Sequence, residues 1–126
     1  MQAIQALQVR LEAELKEFRS LQKQIGNYQN SRAQYLTQVN ENDMVKKELE
    51  LVEADGEIFK LIGPALIKQE KTEALSNVNK RLEFIKGELK KVDTTIGDLE
   101  KKSEDKKNKV MELQQQMQQL ASKQQQ

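Results

Sequence analysis

Two runs of apolar residues, spaced alternately by three and four positions, set the strongest constraint on this chain's fold. The first starts at Ile4 and passes through Leu7, Leu11, Phe18, Leu21, Ile25, Tyr28, Tyr35 and Val39 to Leu49. Ten of its fourteen positions are apolar, with Glu14, Arg32, Asn42 and Lys46 the exceptions. The second starts at Leu75 and runs through Val78, Leu82, Ile85, Leu89, Val92, Ile96, Leu99, Val110, Leu113 and Met117 to Leu120. Twelve of its fourteen are apolar, with Ser103 and Lys106 the exceptions. A sustained 3.5-residue period with charges between its members marks a coiled-coil seam. A disordered chain would not keep one phase over fourteen positions.

The seams also mirror each other. Ile4 pairs with Leu120, Leu7 with Met117, Leu11 with Leu113, and so on inward to Leu49 with Leu75, and the numbers sum to 124 at every step. Each a position of one helix then faces a d position of the other, as antiparallel packing requires. The expected fold class is therefore mainly α: a long antiparallel two-helix coiled coil that turns near Ile62. At a rise of 1.5 Å per residue, each arm of roughly 48 residues is about 70 Å long. The polar seam residues Arg32, Asn42, Lys46, Ser103 and Lys106 read as register pins or as side chains that snorkel to water. Gly26, Gly87 and Gly97 fall inside the helices, where each costs about 1 kcal/mol relative to Ala. They read as tolerated weak spots.

Composition agrees with long solvated helices and narrows function. Of the 126 residues 33% are charged and only 4% aromatic, too few aromatic side chains for an ordinary globular core. Net charge is +1 with acids and bases interspersed, so no basic face is available to displace counterions from nucleic acid. The chain has neither cysteine nor histidine. Disulfides, thiolate chemistry, the usual zinc sites and the commonest general base are absent together. No phosphate-binding Gly-rich loop or nucleophile elbow is present. Pairs such as Asp55 with Glu57, or Asp98 with Glu100, read as solvated charges. We expect no enzyme and no cofactor. The stretch from Leu61 to Ile67 is too short to span a bilayer, and the first residues lack the apolar core of a secretory signal. The expectation is a cytoplasmic protein without membrane association.

The helical period stops after Val52, where Ala54-Asp55-Gly56 supplies stop and turn chemistry. Two short runs, Glu57-Ile58-Phe59-Lys60-Leu61-Ile62 and Ala65-Leu66-Ile67-Lys68-Gln69, flank a Gly63-Pro64 step and read as a β-hairpin. Thr72 offers an N-cap for the second helix. The expected boundaries are a helix over about 3–53, a hairpin over about 57–70 and a helix over about 72–122, forming one domain over 1–126. The Gln-rich end from Gln114 to Gln126 reads as a fraying helix tip. The hairpin is apolar on both faces, with Ile58 and Ile62 on one and Phe59 and Leu61 on the other. Lone two-stranded hairpins are marginal in water and leave open edges for pairing. It is expected either to pair with strands of other subunits or to fold over the helix ends as a clasp; pairing is the better reading.

Two matched helices joined by a single hairpin resemble the β-class subunits of prefoldin. The wording carries the likeness further: Asn40-Glu41-Asn42 followed by Val45-Lys46 and Glu48-Leu49, the run from Phe59 to Glu70 through Gly63-Pro64, and Lys80-Arg81-Leu82. The hairpin motif at its distance from both helices is the specific part, because any coiled coil would match in the helices. An α-class subunit would carry two hairpins, and the residues between Val52 and Thr72 suffice for one. The resemblance implies a hexamer of two α-class and four β-class subunits whose hairpins join into β-barrels, with the coiled coils hanging as tentacles. It also implies an ATP-independent co-chaperone that binds unfolded proteins, actin and tubulin among them, and delivers them to the cytosolic chaperonin.

Within that picture Ile58, Phe59, Leu61, Ile62, Gly63, Pro64, Leu66 and Ile67 are the expected assembly residues. Ile4, Leu7, Leu11, Met111, Leu113, Met117 and Leu120 are the expected client-binding residues at the helix ends, the two methionines adding flexible, polarizable surface. For Leu11 and Leu113 a simple seam role competes. The alternative function is a structural tether or scaffold coiled coil without clients, which accounts for the helices but leaves the apolar hairpin unused.

Overall fold

A computed structural model describes residues 2–124. Its elements follow the expected order: helix α1 (Gln2–Leu51), strands β1 (Ile58–Ile62) and β2 (Ala65–Gln69), and helix α2 (Lys71–Gln124). Of the Gln-rich end, residues 114–124 belong to α2, and Gln125 and Gln126 lie outside the described residues, as does Met1. The chain divides into two compact units, one of residues 1–30 with 93–126 and the other of residues 31–92.

In the first unit α2 supplies most of the core: Ile96, Leu99, Val110 and Leu113 are buried, and Ile25 is the buried apolar residue from α1. The other α1 seam positions here, from Ile4 to Leu21, are half-buried. A helix packed against one partner has one covered face, so most seam side chains keep an edge in water. Tyr28 is an exception to the seam and stands 39% exposed. The helices run antiparallel: Glu14 reaches Lys106, while Gln22, further along α1, reaches Ser103, earlier on α2.

In the second unit Ala74, Val78, Leu82, Ile85 and Val92 form the buried line on α2. Tyr35, Val39, Asn42, Lys46 and Leu49 lie half-buried on α1. Two positions depart from the expected seam. Arg32 is exposed and the small Ser31 takes the half-buried place in that turn, since a guanidinium is costly to desolvate. Ala74 rather than Leu75 is the fully buried residue nearest the hairpin.

The helix ends differ from the expected ones by a residue or two, with local causes. Helix α1 closes at Leu51 with a tight bond from the Val52 N–H to the Leu49 carbonyl (3.2 Å). A turn follows in which the Gly56 N–H donates to the Glu53 carbonyl (2.9 Å). A Cβ on Gly56 would sit 2.6 Å from Val52 Cγ1 and 3.1 Å from the Glu53 carbonyl oxygen, so a larger residue would force Val52 or the turn to shift. Helix α2 starts at Lys71, with the Ala74 N–H bonded to the Glu70 carbonyl (2.9 Å). Thr72 is therefore inside the first turn, and Glu70 takes the cap position expected for Thr72. The Lys71 ammonium donates to the Glu50 and Val52 carbonyls at 3.2 and 2.8 Å. The last turn of α1 has no basic residue of its own. Lys71 supplies the missing cation where the helix dipole favours one, an effect of about 0.3–1 kcal/mol.

Strands β1 and β2 pair antiparallel, Ile58 opposite Gln69 through Ile62 opposite Ala65, and form a sheet of two strands. Gly63-Pro64 is the two-residue turn. Gly63 has φ +56°, and Pro64 is confined to negative φ, the sign pattern of a type II′ turn. That turn matches the right-handed twist of the strands, and glycine in first place is what it requires.

Candidate interaction surfaces

The register sorts the hairpin into two faces. Phe59, Leu61, Leu66 and Lys68 share one; Ile58, Lys60, Ile62, Ala65, Ile67 and Gln69 share the other. Ile58 is half-buried. An open groove of about 310 Å³ at the hairpin's base is lined by Ile58, Phe59 and Leu61 together with Val45, Leu49 and Val78 of the helices. The remaining large apolar side chains stand in solvent: Phe59 49%, Leu61 68%, Ile62 51%, Leu66 68% and Ile67 49% exposed. Gly63 and Pro64 are exposed at the turn. This is not a clasp closed over the helix ends. It carries exposed apolar side chains on both faces, the kind of surface that marks protein contacts. The Lys68–Glu57 pair beside it (3.7 Å) is largely exposed and contributes little.

The other group of expected site residues lies in the first unit. Ile4, Leu7, Leu11, Met117 and Leu120 are half-buried, Met111 is 57% exposed, and Leu113 is 1% exposed. Leu113 is thus sealed in the seam here, while Met111 sits on the outer side of α2.

Further along this unit three polar contacts cross between the helices. Ser103 is buried, and its hydroxyl accepts a 2.8 Å bond from Gln22 Nε2. Lys106 Nζ donates to Glu14 Oε2 at 2.8 Å and also pairs with Glu17. The two carboxylates, Glu14 ahead of Glu17, hold the Lys106 ammonium above the ordinary lysine pKa. Gln22 and Glu17 flank the seam and were not singled out in the sequence. The mirror relation could have found them, because it places residues 17–22 opposite 102–107. Asn42 bonds back to the Gln38 carbonyl of its own helix (2.7 Å). Among the described residues no group of three His, Cys, Asp or Glu side chains is placed to hold a metal ion. No described helix is long and apolar enough to cross a membrane.

Two long helices joined by one exposed apolar hairpin define a coiled-coil subunit of the kind that works through protein contacts. The family model described as "Prefoldin subunit" matches residues 12–117. The chain is 43% identical to prefoldin subunit 6 of Arabidopsis thaliana, covering 91% of this chain and 89% of that one. It is 38% identical to prefoldin subunit 6 of Homo sapiens, covering 89% and 87%. The prefoldin beta subunit from Thermococcus strain KS-1 shares the fold with a TM-score of 0.78 over 82% of this chain and 90% of that one, at 17% identity. This chain belongs to the prefoldin family.

The Lys106 cluster carries a pH signature. A lysine whose pKa is raised on folding stabilises the folded state at pH below its ordinary value of about 10.4, and that gain is lost as pH rises through the folded-state value. A Lys106→Met variant should melt below the parent by a constant margin from pH 7 to 9, a margin that shrinks above about pH 10.4. Because the cluster is partly exposed, 1 M salt should also narrow the margin. Thermal unfolding followed by circular dichroism across pH reads both effects. An unchanged margin at pH 11 would remove the ion pairs from the account.

Proposed function

We propose that this chain is a β-class subunit of a hexameric, ATP-independent prefoldin, with two α-class and four β-class subunits. It assembles through its hairpin and helps hold unfolded proteins, actin and tubulin among them, for delivery to the cytosolic chaperonin. Its place of work is the cytoplasm. The observation that carries the reading is the hairpin: beyond its base its apolar side chains are exposed, and among the described residues its two strands pair with no third. Strand edges of this kind are templates for pairing, and strands from neighbouring subunits would close them into a barrel. Ile58, Phe59, Leu61, Ile62, Leu66 and Ile67 supply the buried contacts, with Gly63-Pro64 setting the turn.

Client holding is assigned to the end of the first unit. Ile4, Leu7, Leu11, Met117 and Leu120 already keep part of their surface in water, and Met111 more than half. Leu113 joins them only if the helices part there. Each contact contributes about 25 cal/mol per Å² of apolar surface buried, and several subunits gripping one client multiply the effect. Exposed methionine suits a surface that meets many sequences.

Replacing both Phe59 and Leu61 by Asp would bury charge in the barrel contact, at a cost of several kcal/mol when desolvated. The double variant should remain helical and fail to join the hexamer on a sizing column. Normal hexamer formation would refute the assembly assignment.

Deleting Met1 to Leu7 together with Met117 to Gln126 removes the seam positions Ile4, Leu7, Met117 and Leu120 and leaves the hairpin intact. The trimmed subunit should assemble and protect a denatured client from aggregation less well than the parent hexamer at equal concentration. Undiminished protection for every client tried would place the holding surface elsewhere.

A further inference from the structure

The first unit contains a break in its packing that the holding role does not by itself explain. Going along α1 from Ile4, the seam is apolar to Leu11. Between there and Ile25 it keeps the half-buried Phe18 and Leu21 but takes Glu14 on α1 and Ser103 and Lys106 on α2. The Glu14–Glu17–Lys106 ion pairs and the Gln22–Ser103 bond tie these together, before Ile25, Ile96 and Leu99 are buried again. The polar layer is flanked by two open clefts. One of about 530 Å³ is lined by Gln22, Gly26 and Ser103, and one of about 380 Å³ by Glu17, Gln24 and Lys106. Gln22 follows the seam residue Leu21 and Gln24 precedes Ile25, so the clefts lie on opposite flanks of the seam. At Gly26, which lines the first cleft, a Cβ would meet nothing within 4 Å.

We propose that this polar layer is a clasp that bounds and guides the opening of the helix pair: the seam beyond it, Ile4 to Leu11 with Val110 to Leu120, parts and closes as one unit, and the seam inside it stays shut. Three properties favour a boundary here. The ion pairs are partly exposed, so they can exchange partners with water at small cost. Ser103 and Lys106 stand where the seam on either side has Leu99 and Val110, so the layer offers less apolar contact to break than its neighbours, as suits the edge of a unit that opens separately. The bonds are also directional. Lys106 between two carboxylates and Ser103 under Gln22 fit one register, so a pair that has opened recloses without slipping by a heptad. Opening would free Leu113, the most deeply buried side chain of this end, along with Val110.

Amide hydrogen exchange on the assembled protein, read by mass spectrometry, tests the clasp without any client. Amides of residues 5–12 and 112–122 should exchange at a common rate, about ten-fold or more above those of residues 20–28 and 96–103, with the step at the clasp. Glu14→Leu with Lys106→Leu replaces the ion pair by an apolar layer and should slow exchange beyond it about ten-fold. Lys106→Glu, which faces Glu14 and Glu17 with a like charge, should move the step inward towards Ile25. A smooth gradient of rates towards the helix ends, or outer rates unchanged in the Leu–Leu variant, would overturn the proposal. Client protection is measured on the same proteins and separates this claim from the holding role on which its purpose rests. Slower exchange with weaker protection supports both. Slower exchange with full protection supports the clasp and removes the client from this end.

Discussion

Among the described residues each unit packs one stretch of α1 against one stretch of α2, and that constraint governs the rest of the structure. One face per helix can be taken out of water, so in each unit the buried residues lie mainly on α2, Ala74 to Val92 in one and Ile96 to Leu113 with Ile25 of α1 in the other. A globular protein of this length would hide its apolar residues in a shared interior. This chain instead leaves Phe59, Leu61, Leu66, Phe84, Met44 and Leu51 more or less in solvent. Stability must come from many repeated small contacts along the seam, helped by terminal chemistry such as the Lys71 bonds to the last carbonyls of α1. The apolar surface left over is what the chain has to offer other proteins.

The hairpin shows the same constraint in sharper form. Its type II′ turn and in-register pairing make it locally well specified, yet two strands cannot bury their own side chains. Its base leans on Val45, Leu49 and Val78, and the rest projects from that support. Under the proposed function this arrangement has a purpose, the missing layer being supplied by other subunits. The polar layer of the first unit extends the logic, since a seam made uniformly apolar would hold its end shut.

Most of the fold was legible because its signals are repetitive. Fourteen positions in phase, twice, and mirrored about one residue leave little freedom in the pairing of the helices. The Gly63-Pro64 step fixed the hairpin because its backbone geometry admits few alternatives. What escaped were features set by single three-dimensional contacts. Thr72 looked like a cap, but Lys71 reaches back to α1 and the helix begins a residue earlier. Arg32 fits the heptad by number, yet the desolvation cost of its charge leaves it outside. Of the site residues, the exposure of the hairpin could be argued from its two apolar faces. The burial of Leu113 follows from its seam position and the exposure of Met111 from its place beside the seam. The half-burial of Leu11 and Met117 beside the sealed Leu113 could not be argued, because seam positions differ in burial through the packing of the facing helix.

The central claim is that the open edges of β1 and β2 are completed by strands of other prefoldin subunits. Amide exchange of residues 58–62 and 65–69, compared between the chain alone and the chain mixed with its partner subunits, tests this most directly. The account predicts that the edge amides of both strands become strongly protected on assembly while those at the centre of α1 and α2 change little. A complex that forms with the strand amides still exchanging as freely as before would contradict it.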